Sequence, residues 1–89
     1  MQSPSTIRLV YLARLREAFG CSSETLELPA DLRTVGALLA RLAARGDAWA
    51  DELAKGRALR VAVNHAVARP DTPLAPGDEV ALFPPVTGG

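Results

Sequence analysis

The chain has 89 residues, of which 48% are apolar, and its ten basic and ten acidic residues cancel. This length suits one small domain, the balanced charge offers no basic surface for nucleic acid, and no apolar run approaches the ~20 residues that span a bilayer. The single cysteine, Cys21, excludes an internal disulfide and favours a reducing compartment, and the first residues lack the pattern of a signal peptide, so we expect a cytoplasmic protein.

Two strands are predicted in the first third of the sequence. Residues 7–12, IRLVYL, are typical of a strand, and apolar residues alternate with others over residues 24–28 at the period of a half-buried strand. The side chains of the first strand divide between two faces: Ile7, Leu9 and Tyr11 on one, and Arg8, Val10 and Leu12 on the other. A helical turn over residues 14–19 lies between the strands, so we expect them to pair as a hairpin with a wide connection.

The main helix is predicted in the middle of the chain. Four apolar residues recur at the spacing of one helix face: Val35, Leu38, Leu39 and Leu42. Thr34 precedes them and predicts an N-cap, because its hydroxyl can accept a bond from a free backbone N–H of the first turn. Gly46 predicts the end of this helix. Asp47 then predicts the cap of a second, short helix that carries Trp49.

The last third of the sequence predicts three more strands. Residues 59–63 and 79–83 alternate like the first two strands, and a tight turn at Asn64-His65 leads into a short strand. Pro76-Gly77 has the composition of a type II turn before the last strand. The side chains of that last strand again divide between an inner and an outer face: Val80 and Leu82 inside, Ala81 and Phe83 outside.

One helix with one apolar stripe and several strands with one apolar face each predict a two-layer α+β fold. The order of the elements is the pattern of the ubiquitin-like β-grasp fold, in which a mixed sheet wraps over one main helix. We expect the first and last strands to lie side by side in the centre of that sheet. The β-grasp domain is predicted to occupy residues 1–83.

Residues 84–89, PPVTGG, predict a flexible C-terminal tail. Pro84 cannot continue a central ladder, and Pro84-Pro85 favours a stiff, extended course away from the sheet. Gly88 and Gly89 carry no Cβ, so they make the thinnest thread for entering an enclosed site. Six extended residues reach roughly 20 Å, enough to enter a partner deeply. The alternative interpretation is a frayed end without function.

A resemblance to a known family gives this tail a role. The stretch LAPGDEVALFPPVTGG, residues 74–89, closely resembles the end of MoaD-type sulfur carriers, the small subunits of molybdopterin synthase. Other positions also match this family: Ala13, Leu15-Arg16-Glu17, Gly20, Thr34-Val35, Ala37-Leu38 and Val61-Ala62-Val63-Asn64. The similarity runs from Ile7 onward, and the tail is its most specific part.

The resemblance implies a sulfur-transfer chemistry. In this family an E1-like adenylating enzyme uses ATP to activate the terminal carboxylate, here that of Gly89, and sulfur from a donor enzyme then replaces AMP to give a thiocarboxylate. The residues that would thread this terminus into the large synthase subunit are Pro84, Pro85, Val86, Thr87 and Gly88. There the sulfur passes to a cyclic pyranopterin monophosphate and builds the molybdopterin dithiolene of the molybdenum cofactor.

The same resemblance implies an assembly. The chain would be the sulfur-donating subunit of a sulfurtransferase whose catalytic pocket lies on the large subunit, in a heterotetramer of two small and two large subunits. It implies no bound cofactor or metal on this chain, since ATP is used by the activating partner. Cys21 has no Cys-x-x-Cys neighbour, and His65 is the only histidine, so neither predicts a redox or metal site.

An outward apolar patch beside the tail is predicted to hold these partners. If the first and last strands are neighbours, Leu12 and Phe83 lie together on the outer face, and Val67 extends them. Arg14 and Arg16, near the same end, are candidates to pair with acidic groups of a partner. The alternatives are that Phe83 only covers a sheet edge and that Arg16 only belongs to a solvated surface.

Three other functions remain open from the sequence. The same terminal chemistry would serve a sulfur carrier for thiamine thiazole or for a thiolated tRNA base. A ubiquitin-like protein modifier would instead join its terminus to lysines of other proteins. A plain interaction module would use no tail chemistry at all, and loss of Gly89 would then change nothing.

Overall fold

A computed structural model describes residues 5–54 and 59–85. Its helices and strands are, in chain order, β1 (Thr6–Tyr11), α1 (Arg14–Phe19), β2 (Ser23–Glu27), α2 (Val35–Ala43), α3 (Asp47–Glu52), β3 (Arg60–Val63), β4 (Ala66–Val67) and β5 (Glu79–Phe83). Every element predicted from the sequence is present, with bounds that differ by a few residues at most.

The strands form one mixed sheet in the order β2-β1-β5-β3-β4. β1 and β5 pair in parallel, with Leu9 opposite Val80 and Tyr11 opposite Leu82, whereas the other neighbouring strands are antiparallel. The prediction that the first and last strands of the chain lie side by side is therefore confirmed. Together with the helices on one side of the sheet, this order confirms the α+β, ubiquitin-like β-grasp fold.

The core lies between α2 and the inner face of the sheet. The fully or nearly buried apolar residues are Ile7, Leu9, Tyr11, Leu15, Leu32, Val35, Leu38, Leu42, Val61, Leu74, Val80 and Leu82. Both strand faces predicted to be inward are thus buried, as is most of the helix stripe. Burial of each such side chain contributes about 1.5–3 kcal/mol, so a domain this small depends on nearly all of them.

The ends of the helices follow local chemistry. Thr34 caps α2, because its hydroxyl oxygen accepts the backbone N–H of Ala37 at 3.2 Å. The prediction that Asp47 caps α3 is wrong: Gly46 is the N-cap, and Asp47 is already the first helical residue. Gly46 has φ = +83°, a conformation that disfavours any side chain, so the cap position falls on the glycine.

Both predicted tight turns are present. Asn64 and His65 have φ of 51° and 73°, the left-handed pair that a two-residue hairpin requires between β3 and β4. The turn before β5 closes with the N–H of Asp78 donating to the oxygen of Ala75 at 3.1 Å, with Gly77 at φ = +90°. The Asn64 side chain joins these two turns by donating to Asp78 and accepting from the backbone N–H of Glu79.

Candidate docking face and tail root

The central strand β5 leads directly into the predicted tail. β5 ends at Phe83, and Pro84 and Pro85 follow outside regular structure with partly buried side chains. The expectation that pairing stops at Pro84 is confirmed, since proline has no N–H to donate to a ladder. Residues 86–89, which include the reactive terminus predicted at Gly89 and the threading residues Val86, Thr87 and Gly88, lie outside the described residues.

The outer face of the sheet carries a continuous apolar row. Four side chains lie in register across four neighbouring strands: Val10, Ala81, Ala62 and Val67. Residues directly opposite one another in neighbouring strands project on the same face. Val67 is 75% exposed, so the row reaches water at its β4 end.

A second row lies beside the first, at the tail root, which is the end of β5 at Phe83 where the tail begins. Leu12 follows β1 and donates its backbone N–H to the oxygen of Leu82, which brings it alongside Phe83. On the other side Phe83 is paired with Arg60 of β3. Leu12 is 44% exposed and Phe83 is partly buried. The structure therefore brings together Leu12, Phe83 and Val67 on one face, whereas their role in docking stays a prediction.

Arg16, the other predicted docking residue, does not belong to the sheet face. It lies on α1, where its side chain is exposed and makes no ion pair or hydrogen bond with the residues described. Its neighbour Arg14 is engaged, because its Nε donates to Glu52 Oε1 of α3 at 3.0 Å. Arg16 therefore offers a free cation at the α1 end of the molecule, separate from the apolar rows.

A polar network that sequence reasoning did not predict lies on the helix side of the sheet. The Tyr11 hydroxyl donates to Glu24 Oε2 at 2.6 Å, and the Arg45 guanidinium donates to both Glu24 oxygens at 2.9 and 3.1 Å. Arg45 also lies over the Trp49 ring, 4.4 Å from its centroid, and Trp49 stacks on Phe19 at 3.7 Å. This cluster fastens β1, β2 and the ends of the helices to one another.

The network shifts the pKa values of its members. The hydrogen bonds from Arg45 lower the pKa of Glu24, against the opposing effect of its partial burial. Burial raises the pKa of Tyr11 strongly, and the hydrogen bond to the Glu24 carboxylate adds to this. The sequence did carry a signal: Glu24 has the same parity on β2 as Leu26, which packs against the core, and a carboxylate on that face requires a partner.

No metal centre is evident in the parts of the chain that the structure describes, since they contain no cluster of three or more His, Cys, Asp and Glu side chains. Cys21 is a free, half-buried thiol. The His65 side chain is 88% exposed, with Nε2 3.6 Å from Glu79 Oε1. Within residues 5–54 and 59–85 there is also no helix long and apolar enough to cross a membrane.

The sheet order, the single main helix and the exit of the tail from the central strand define a ubiquitin-like β-grasp protein. The sequence profile of the ThiS family matches residues 9–89. Since this match covers most of the sequence, the chain belongs to the ThiS family.

Two curated relatives cover nearly the whole chain. The molybdopterin synthase sulfur carrier subunit of Escherichia coli K12 is 46% identical over 83 residues, which are 93% of this chain and 99% of that protein. The subunit of the same name from Haemophilus influenzae is 39% identical over the same shares.

Solved structures of the same fold are also similar. SAMP1 from Haloferax volcanii superimposes with a TM-score of 0.75 at 30% identity, covering 94% of this chain and 99% of its own. A second crystal structure, of the Haloferax volcanii small archaeal modifier protein 1, superimposes with a TM-score of 0.67 at 31% identity. It covers 92% of this chain and 99% of its own.

Proposed function

We propose that this chain is the sulfur carrier subunit of a molybdopterin synthase, with the main-chain carboxyl of Gly89 as its reacting group. The observation that carries this proposal is the 46% identity to the Escherichia coli subunit of that name over 93% of the chain. The fold supports it, because the strand that precedes the tail is the central strand of the sheet. A terminus held by a central strand is delivered from a rigid base.

The chemistry needs a leaving group and a narrow chain. A carboxylate is a poor electrophile, so its oxygen first attacks the α-phosphorus of ATP and pyrophosphate leaves. Hydrosulfide supplied by the donor enzyme then attacks the carbonyl carbon, the bond to AMP breaks, and loss of AMP and a proton leaves a thiocarboxylate on Gly89. No side chain of this protein takes part, and no cofactor is required on it. Its contribution is to place the terminus inside two enclosed sites in turn.

Three partners follow from this scheme. An E1-like enzyme would adenylate Gly89, a sulfur donor enzyme would supply sulfur, and the large synthase subunit would receive the tail and transfer the sulfur to a cyclic pyranopterin monophosphate. We expect the assembled synthase to be a cytoplasmic heterotetramer of two small and two large subunits. The apolar rows at Leu12, Phe83 and Val67 supply the docking surface, and Arg16 supplies a separate cation on α1.

The deciding experiment uses the thiocarboxylated chain, the large subunit and the pterin precursor. A thiocarboxylate adds ~16 Da to the native mass, because sulfur replaces one oxygen, and formation of molybdopterin should consume that increment. The matched variants remove Gly89 or add one alanine after it. Both should retain the melting temperature and lose sulfuration. Retained sulfuration by the untrimmed, extended chain would refute the proposal.

A second function is favoured by one observation, the similarity to the small archaeal modifier protein 1. A modifier would form an amide between Gly89 and a lysine of another protein, with loss of AMP from the adenylate. Mass spectrometry of the protein from its native cells separates the two functions. Adducts through Gly89 would indicate conjugation, whereas a terminal thiocarboxylate without adducts indicates sulfur transfer. A thiazole or tRNA acceptor used in place of the pterin precursor tests the remaining carriers.

A further inference from the structure

Arg60 occupies an unusual position on the outer face of the sheet. It is exposed, and it is paired with Phe83 across β3 and β5. The next residue, Val61, is buried, so Arg60 and Ala62 share the outer face. Toward β1 the neighbours of Arg60 on this face are the apolar side chains of Phe83 and Leu12. Arg60 is therefore a cation placed within the patch that the proposed function assigns to docking.

The side chain of Arg60 makes no ion pair or hydrogen bond with the described residues. Among the arginines of residues 5–54 and 59–85, the same is true only of Arg16. The other arginines have partners: Arg8 with Glu79, Arg14 with Glu52, Arg33 with Ala30, Arg41 with Asp31, Arg45 with Glu24 and Arg69 with Asp71. The carboxylates of Glu79 and Asp71 are thus engaged by Arg8 and Arg69. Within the described residues Arg60 pairs with no carboxylate.

A second arginine, Arg69, lies beside Arg60. The N–H of Ala68 donates to the oxygen of Val61, which continues the pairing beyond β4 and places Arg69 level with Arg60. Both residues are among those that line a groove of about 260 Å³ between β3, the segment after β4 and α2. Because Arg69 is paired with Asp71, Arg60 is the positive charge beside Phe83 that has no counter-charge among the described residues.

We propose that Arg60 is a specificity-determining residue that binds a carboxylate of the large subunit. This inference rests on the proposed function and specifies the partner's chemistry. When a partner covers Phe83, the neighbouring guanidinium loses water, and a desolvated cation without a counter-charge opposes binding. A carboxylate fits the planar guanidinium fork with two hydrogen bonds. The cognate large subunit therefore offers Asp or Glu opposite Arg60, and a large subunit with an apolar or basic residue there is rejected.

The test measures binding of the full-length chain to its own large subunit at low and high salt. Arg60→Glu should raise Kd at least ~10-fold, with a smaller penalty at high salt, since attraction becomes repulsion at a charge pair. Arg60→Gln should raise it less. Arg41→Glu is the matched control, because Arg41 is an exposed arginine on α2, on the other side of the sheet. We expect the Arg41→Glu variant to bind the large subunit with unchanged Kd. Melting temperatures report that every variant is folded.

Charge exchange completes the test. A single Asp→Arg or Glu→Arg substitution in the large subunit should restore binding of Arg60→Glu and weaken binding of the unmodified chain. If Phe83→Asp abolishes binding while Arg60→Glu does not, the inference about Arg60 is overturned and the proposed function stands. If neither substitution changes binding, the docking face itself is overturned. Self-association of this chain that is lost in Arg60→Glu, without an effect on the large subunit, would also overturn the inference.

Discussion

The inner and outer faces of the central strands β1, β5 and β3 differ in how their side chains are satisfied. On the inner face Leu9 and Leu82 are fully buried, and Tyr11 satisfies its hydroxyl with Glu24. On the outer face Leu12 is 44% exposed, and Arg60 has no internal partner among the described residues. The inner face is complete within this chain, whereas the outer face leaves apolar surface and a charge for another molecule to cover.

This difference between the faces predicts that substitutions on the inner face lower stability and that substitutions on the outer face lower binding. A change on the inner face removes contacts that hold the domain together. A change on the outer face removes contacts that form only when a partner is present. The two faces therefore predict opposite outcomes for chemically similar substitutions, which the following variants test in order of expected effect.

Leu9→Ala should have the largest effect on folding. Leu9 is fully buried in the sheet centre, so its truncation leaves a cavity and should cost about 2–5 kcal/mol of unfolding free energy. Leu12→Ala is the matched control on the opposite face, and it should cost less than about 0.5 kcal/mol. Urea unfolding followed by circular dichroism measures both. Equal losses in the two variants would contradict the division between the faces.

Phe83→Asp should have the largest effect on association. A central aromatic side chain of an interface carries about 2 kcal/mol or more, which is about 30-fold in Kd. Because Phe83 lies on the outer face beside the tail root, the unfolding free energy should change by less than about 1 kcal/mol. Calorimetric titration with the large subunit measures the affinity. Normal affinity of a folded Phe83→Asp variant would show that the outer face is not the docking surface.

Arg45→Ala tests the polar network on the inner side. It removes the two hydrogen bonds to Glu24 and the contact with Trp49, and should cost about 1–2 kcal/mol. Arg41→Ala is the control, because its pair with Asp31 is largely exposed and contributes about 0–1 kcal/mol. If Arg41→Ala lowered the free energy of unfolding as much as Arg45→Ala, the stabilising role assigned to the network would be contradicted.

The same network predicts how stability depends on pH. The folded-state pKa of Glu24 lies below its unfolded value of about 4.3, so its contribution is present above that pH and is lost as pH falls through the folded pKa. The pKa of Tyr11 is raised, so its contribution is complete below its unfolded value of about 10 and declines as pH rises above it. Melting temperatures across pH measure this. Arg45→Ala should show a shallower acid limb, and an unchanged limb would contradict the assignment to Glu24.

His65→Gly should have the smallest effect, and it should be stabilising. His65 adopts φ = 73° in the two-residue turn, where glycine fits without steric cost, and its exposed pair with Glu79 contributes little. We expect a gain of about 0.5 kcal/mol. Asn64→Gly provides the contrast, because it removes the hydrogen bonds of Asn64 to Asp78 and Glu79 and should destabilise. A destabilised His65→Gly variant would contradict the strain at this turn.

Much of the fold was predictable because its signals are local. The period of two along a strand grouped Leu9 with Tyr11 and Val80 with Leu82 on one face. Thr34 marked the start of α2. The cap of α3 was not predictable in the same way. An Asp before a short helix usually caps it, but the backbone turned at Gly46 with a positive φ and moved the cap by one residue.

The candidate site was predictable only in part. The patch of Leu12, Phe83 and Val67 followed from alternation once two strands were taken as neighbours. Arg60 was not recognised, since its relation to Phe83 depends on the register between β3 and β5, and these strands are joined by a hairpin and a long connection. The pairing of Glu24 with Arg45, 21 residues apart, was hidden for the same reason.

The sequence by itself determined which residues share a face of a strand or helix, where the chain turns, and that a narrow segment with two prolines follows the last strand. These features depend on side-chain period and backbone preference over a few residues. Only the tertiary structure decided which charges are paired and which remain free. Ion pairs and cross-strand neighbours join residues that are distant in the chain, and their distances are set by sheet register and helix packing. The free guanidinium of Arg60 beside Phe83 is therefore a property of the folded molecule.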